Sequence, residues 1–212
     1  MIAVQPVHTT DTLNPGPQQF GHNKDIPALI EKNVLKALSF YPELKDTRIR
    51  FVFRTNLKTS VMQAQPRFTA LLLGRRQRSY RIKISSHFNL THSYMPIGKI
   101  PDEVMIGWIG HELGHIMDYE TRSNRSVVAF GYRYLTSPEY VKKAEIIADT
   151  YAVNHGLGSY IVATKRFIRD NMELPQSYRD KIARLYLSPD AIIEQIKKLE
   201  EKQPLYPVME KL

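Results

Sequence analysis

His111-Glu112-Leu113-Gly114-His115, followed 30 residues after His115 by Glu145-Ile146-Ile147-Ala148-Asp149, is the part of the chain on which both fold and function turn. In an α-helix, residues four apart differ by only about 40° in direction, so His111 and His115 leave one face a turn apart and can meet a single ion. Counting about 100° per residue from Gly107, the residues His111, His115 and Asp118 fall within about 20–80°, while Ile109, Leu113 and Ile116 fall at about 180–240°. The histidines thus point away from the apolar stripe on which a core histidine would lie. Two ligands need a third, and Glu145 on the next predicted helix is the candidate. Asp149, one turn further on the same face, is placed to accept the ring N–H of His111 or His115 and fix its tautomer, with Asp118 a second candidate for that role. Gly107, Gly110 and Gly114 form a stripe beside the histidines, and Ala148 and Ala152 lie beside Glu145. Small residues permit a close helix crossing, which metal–ligand bonds of about 2.0–2.2 Å demand. Glycines that cost about 1 kcal/mol each in a helix interior otherwise lack a reason. The alternative is an ordinary helix contact with two solvent-facing histidines and a surface Glu–Asp pair.

Working outward, Asp102 is a candidate cap for a helix running to about Glu120, and Ser137-Pro138-Glu139 is a strong start for one ending near Gly156. Three further helices are expected at about 159–171, 175–187 and 189–202, the last capped by Ser188 before Pro189. Upstream, from Asp25, a plausible N-cap, Ile26, Leu29, Ile30, Val34 and Leu38 repeat at helical spacing and predict a first helix ending near Tyr41-Pro42. Three strand-like runs follow: Arg48 to Arg54, Phe68 to Gly74, and Tyr80 to Ser85, with a hairpin turn over residues 74–79. A helix, three strands and then helices to the end is an α+β order with a small sheet, not the alternation of a doubly wound fold. Residues 1–24, with Pro6, Pro15, Gly16 and Pro17, read as an extended arm. Residues 25–212 read as one domain: an upper part, 25–120, with the sheet and the histidine helix, and a helical lower part, 121–212, with the third ligand.

The chain has 212 residues, 42% hydrophobic and 24% charged, which is ordinary globular composition and excludes collagen-like and disordered classes. No apolar run approaches the ~20 residues of a membrane span, and no charged-then-apolar signal pattern opens the chain; the compartment stays open. With no cysteine, disulfides, thiolate catalysis and Cys-based zinc fingers are excluded, so any metal site must use His and carboxylates. The net charge is +9, and residues 47–101 hold eleven Lys or Arg and no Asp or Glu. Such a surface attracts anionic partners through a field that salt screens, or serves as a solvated sheet face that resists aggregation.

The pair of motifs resembles the gluzincin group of zinc metallopeptidases, in particular its small soluble members with a Glu-x-x-Ala-Asp second helix. The likeness covers about residues 101–156. It implies a zincin-like fold: a helix and small mixed sheet, an edge strand that binds extended substrate, the active-site helix and a helical C-terminal part. By position the edge strand is Tyr80-Arg81-Ile82-Lys83-Ile84-Ser85. It also implies one Zn²⁺ per chain held by His111, His115 and Glu145, with a fourth position for water, and Glu112 as the base that takes the water's proton and delivers it to the leaving amine. The partner implied is a peptide or protein. With Arg75, Arg76 and Arg78 in the hairpin and Arg81 and Lys83 along the strand, an acidic peptide is favoured. His155, Tyr151, Tyr132 and Tyr178 are the candidates to stabilise the oxyanion, and nothing in the sequence selects among them. Two other readings are a nucleic-acid-associated protein docking its basic strands on phosphate, against which no nucleic-acid motif is present, and a catalytically silent metal-binding module. An intact Glu112 argues against the second. Oligomeric state and cleaved sequence are left open.

Overall fold

The computed structural model describes residues 16–55, 57, 60–67 and 78–202, and within them the fold is mixed α+β, mostly helical, with a small sheet. The expected arm is corrected at its end. A single 3-10 turn, Pro17–Gly21, buries Phe20, and β1 (Lys24–Asp25) pairs in parallel with Ile49 and Arg50 of β2 (Arg48–Arg54). Residues 1–15 lie outside the described residues. Asp25 is therefore a strand residue, ion-paired with Arg50 at 2.7 Å, and not a helix cap. Pro27 holds the residue before it out of helical geometry, so the chain enters α1 (Glu31–Leu38) only through a 3-10 turn, Ala28–Ile30.

Two more strands complete the main sheet, β3 (Met62–Pro66) and β4 (Ser79–Ser85), in the order β1-β2-β4-β3. β4 runs parallel to β2, with Phe51 beside Ile82, and antiparallel to β3, with Ala64 beside Ile82. Residues 80–85 form a strand as expected, but not an edge strand. Neighbours pair along both sides of β4, and among the described residues the edges are the two-residue β1 and, on the side of β4, β3, a segment with no strand pattern in its sequence. The strand expected over Phe68–Gly74 lies outside the described residues, as does most of the turn after it. A small hairpin of β5 (His87–Asn89) and β6 (Tyr94–Pro96) precedes the helices.

The long helix α2 (Asp102–Thr121) carries both histidines; Pro101, not Asp102, occupies its cap position. α3 (Asn124–Thr136), capped by Ser123, was not anticipated. α4 (Pro138–Ala152) starts where Ser137-Pro138 places it, the Ser137 hydroxyl accepting from the Tyr140 N–H. A π turn, Val153–Leu157, with Gly156 at φ 84°, leads into α5 (Gly158–Asp170), and α6 (Gln176–Leu185) and α7 (Pro189–Lys202) are the last elements of the described residues.

α2 is the axis of the molecule. One sheet face sets Ile49, Phe51, Tyr80, Ile82 and Ile84 into the core, each less than 3% exposed, while Arg48, Arg50 and Arg54 alternate to the outer face. Burial of each such large apolar side chain stabilises the fold by about 1.5–3 kcal/mol. α1, α4 and α5 pack around the rest of α2, so everything from Val104 to Ile116 is buried, the histidine face included. The glycine stripe explains how. A Cβ on Gly114 would meet the Ala148 carbonyl of α4 at 2.4 Å, and one on Gly107 would meet the Tyr160 carbonyl of α5 at 2.3 Å. Gly110 faces Leu157 of the π turn, so the stripe serves three successive neighbours and not α4 alone. Among the described residues no helix is long and apolar enough to cross a membrane.

Candidate metal centre

Because Gly114 lets α4 approach, the two motifs meet. The ligand atoms of His111, His115 and Glu145 all lie within 4.8 Å of one another, and all three residues are buried. Glu145 Oε2 is 3.0 Å from His111 Nε2 and 3.4 Å from His115 Nε2. Tetrahedral bonds of about 2.1 Å set ligand atoms about 3.4 Å apart, so the two sides of the triangle that meet at Glu145 are close to what a metal ion needs.

The hydrogen bonding makes the same point chemically. His111 Nδ1 faces Asp149 Oδ1 at 2.8 Å, and its Nε2 faces Glu145 Oε2. With Nδ1–H donating to Asp149, the Nε2 lone pair of a neutral imidazole confronts a carboxylate oxygen, and a positive charge must lie between them. A proton can serve one such pair. A metal ion serves both histidines at once. Burial would lower the His111 pKa, but hydrogen bonds to Asp149 and Glu145 outweigh it and carry the metal-free ring up to about 10. Metal and proton therefore compete for this nitrogen.

Each carboxylate has its own surroundings. Burial would raise Glu145, but His115 and His111 hold it well below the usual carboxylate range, and Tyr134 donates its hydroxyl to Oε1 at 2.6 Å. Burial would likewise raise Asp149, yet Lys165 and His111 lower it; Lys165 Nζ lies 2.8 Å from Oδ2. Glu112 moves the other way: burial lifts its pKa, and the histidines and the Ala64 N–H only partly offset this. That N–H, on β3, donates to Glu112 Oε2 at 2.5 Å. One raised carboxyl thus stands beside two lowered ones, so the site holds carboxyl groups of opposite proton affinity.

The structure therefore brings together His111, Glu112, His115, Glu145 and Asp149. It separates Asp118, whose carboxylate is held by Arg122 at 2.9 and 3.0 Å, and His115 Nδ1 is buried with no hydrogen-bond partner among the described residues. His155 stacks on Tyr41 and bonds the Tyr151 carbonyl, and Tyr132 is 71% exposed on α3; Tyr178 alone of the oxyanion candidates lines a cavity with His111 and Glu112. The proposed substrate strand is also corrected. Ile82 and Ile84 are core, the Tyr80 hydroxyl donates to Glu120, and Arg81 and Lys83 alternate with them towards the opposite sheet face. Arg78 is structural, donating to the carbonyls of Tyr119 (2.6 Å) and Arg122 (2.7 Å) and to Asn124. Arg75 and Arg76 lie outside the described residues.

A cleft of about 600 Å³ opens beside the cluster, between the outer edge of β3, an apolar wall from α3 with Val127 and Phe130, and the end of α6 with Lys181 and Arg184. Tyr134, Lys165 and Tyr186, whose ring lies 5.5 Å from that of His111, were not foreseen. Lys165 left a signal: it stands between Ile161 and Ile168 on the apolar stripe of α5, where a lysine needs a buried partner. Comparison with protein-family models, with curated proteins and with solved structures finds no match to this chain.

Proposed function

We propose that the protein is a zinc-dependent metallopeptidase of gluzincin type with a zincin-like arrangement. The observation that carries this reading is the position of Glu112: a buried carboxyl with raised pKa, beside a His-His-Glu triangle and at the wall of an open cleft. A structural metal site has no use for such a group. Two imidazoles and a carboxylate suit Zn²⁺ with a free fourth position. When bound, zinc supplies a Lewis acid that makes a ligated water nucleophilic at neutral pH.

The chain's own residues do the rest. Asp149, anchored by Lys165, fixes the His111 tautomer and turns Nε2 towards the centre. Tyr134 holds Glu145 so that Oε2 faces both histidines. Glu112 takes the proton of the attacking water and delivers it to the leaving amine, and its raised pKa suits both transfers. The Ala64 N–H keeps its carboxylate aimed. β3, unpaired on its outer side among the described residues, offers backbone groups to an extended peptide lying in the cleft.

The test measures metal content and hydrolysis of generic peptides on one preparation of wild type, Glu112→Ala and Glu145→Ala. The expected result is about one zinc per chain in wild type, zinc retained without hydrolysis in Glu112→Ala, and zinc lost in Glu145→Ala. Failure of wild type to take up zinc after reconstitution, or hydrolysis surviving in Glu112→Ala, refutes the reading.

A further inference from the structure

The strand arginines were expected to give the substrate site its positive charge, but Arg78 is tied into the fold and the alternation of β4 turns Arg81 and Lys83 away from the core. The cleft nevertheless contains cations. Among the described residues, Lys181 and Arg184 are the only lysine and arginine that line it, and they share it with Glu112 and His115. Spaced three apart on α6, they are neighbours on one helix face, about 5–6 Å between Cβ atoms, close enough for one carboxylate to bridge. Lys181 is half-buried and also lines the two smaller cavities that flank the cleft beside Ser60, so it stands where they converge.

Burial lowers the Lys181 pKa, Glu145 counters this and Arg184 adds to it; an incoming anion reverses the shift. The facing wall, Val127, Phe130 and Val141, supplies no competing charge.

We propose that Lys181 and Arg184 form a carboxylate-binding subsite that selects peptides carrying a carboxylate within a residue or two of the bond cleaved. This deepens the peptidase reading and rests on it for the reaction, but the binding can be measured apart from catalysis. The carboxylate has two sources, an Asp or Glu side chain or the peptide's own C-terminus, and the substrates are chosen to separate them.

The experiment uses fluorescent octapeptides in which one Glu replaces Gln at successive positions, each with a free or amidated C-terminus. Binding is read by anisotropy on zinc-loaded Glu112→Gln protein, and kcat and KM on wild type. The expected result is a preference of about 10- to 100-fold for the acidic peptide at one position, the range of one charge-assisted contact. If the C-terminus is the source, the preference follows the free against the amidated end. It should fall with ionic strength. Lys181→Gln, Lys181→Met and Arg184→Gln should each bring the acidic-to-neutral ratio towards one, with the change in KM and not in kcat. A wild-type ratio near one, a ratio unchanged in all three variants, or a kcat lost equally for every peptide overturns the subsite. Acidic preference in binding without wild-type hydrolysis leaves the subsite standing and refutes the peptidase; hydrolysis without preference does the reverse.

Discussion

Replacing Gly114 by alanine tests whether helix approach makes the metal centre. The added Cβ would lie 2.4 Å from the Ala148 carbonyl oxygen and 3.1 Å from both its carbonyl carbon and Cα. These are backbone atoms inside α4 and cannot rotate away, so α2 and α4 must separate by about 1 Å to reach ordinary contact. Overpacking of this kind costs about 1–3 kcal/mol, and alanine's better helix propensity returns about 1 kcal/mol, so a net loss of up to about 2 kcal/mol is expected. The effect on metal is larger than the effect on stability. Ligand distances tolerate only about 0.2 Å, and a 1 Å shift withdraws Glu145 from the two histidines, lowering affinity by ~100-fold or more. Gly131→Ala is the control: it lies in α3 with nothing within 4 Å of its added Cβ and should gain about 0.5–1 kcal/mol. Urea denaturation of the metal-stripped proteins gives the first quantity and competition titration with a zinc chelator the second. A Gly114→Ala protein as stable as Gly131→Ala, with wild-type metal affinity, refutes the close-crossing explanation.

Asp149→Asn keeps the shape but leaves Lys165 buried without its counter-ion, which should cost about 3–5 kcal/mol and reduce metal affinity about 10- to 100-fold; thermal denaturation and chelator competition measure both. Arg78→Lys loses the fork that grips the Tyr119 and Arg122 carbonyls and should cost about 2–3 kcal/mol. Unchanged denaturation with weakened binding of acidic peptides would instead return Arg78 to the substrate site. For the metal-stripped chain, His111 has a folded pKa of about 10, above its unfolded value. Its contribution to stability is therefore full below about pH 6.5 and lost as the pH rises towards 10. Denaturation midpoints over this window should decline without metal and hold steadier with it. An equal decline in both forms contradicts the competition between proton and metal.

The site was legible because its chemistry is local. His111 and His115 are paired by helix periodicity, Glu145 and Asp149 likewise, and Ser137-Pro138 marks where their helix begins. What sequence could not supply was strand order, which is nonlocal. Tyr80 to Ser85 has clean alternation and comes last before the helices, so it read as an edge; pairing in parallel with Arg48–Arg54 moves it inside. The edge beyond it, Met-Gln-Ala-Gln-Pro, is short, weakly apolar and ends in proline, features that suit an edge but hide a strand. α3 escaped because it buries only Val127 and Phe130, although Ser123 was there to cap it. Tyr134, the residue steadying Glu145, was lost with that helix.

The buried charges give a last reason for reading the cluster as a place for a dication. Glu112, Glu145 and Asp149 bring three negative charges into one interior, and Lys165 returns one. Buried charges without compensation are costly, so the remaining two must be met locally. Without metal they are met by protons, which is why His111 titrates high and why the Glu112 carboxyl is raised. A divalent ion meets both charges while the histidines stay neutral and keep their lone pairs for it. The proton then leaves His111, but Glu112, which is outside the ligand triangle, is the one of the three carboxyls whose partners do not outweigh the effect of burial. The same arithmetic that makes room for a dication thus leaves a proton-accepting carboxyl beside it, at the wall of the cleft between β3 and α6 where the proposed reaction would need a base.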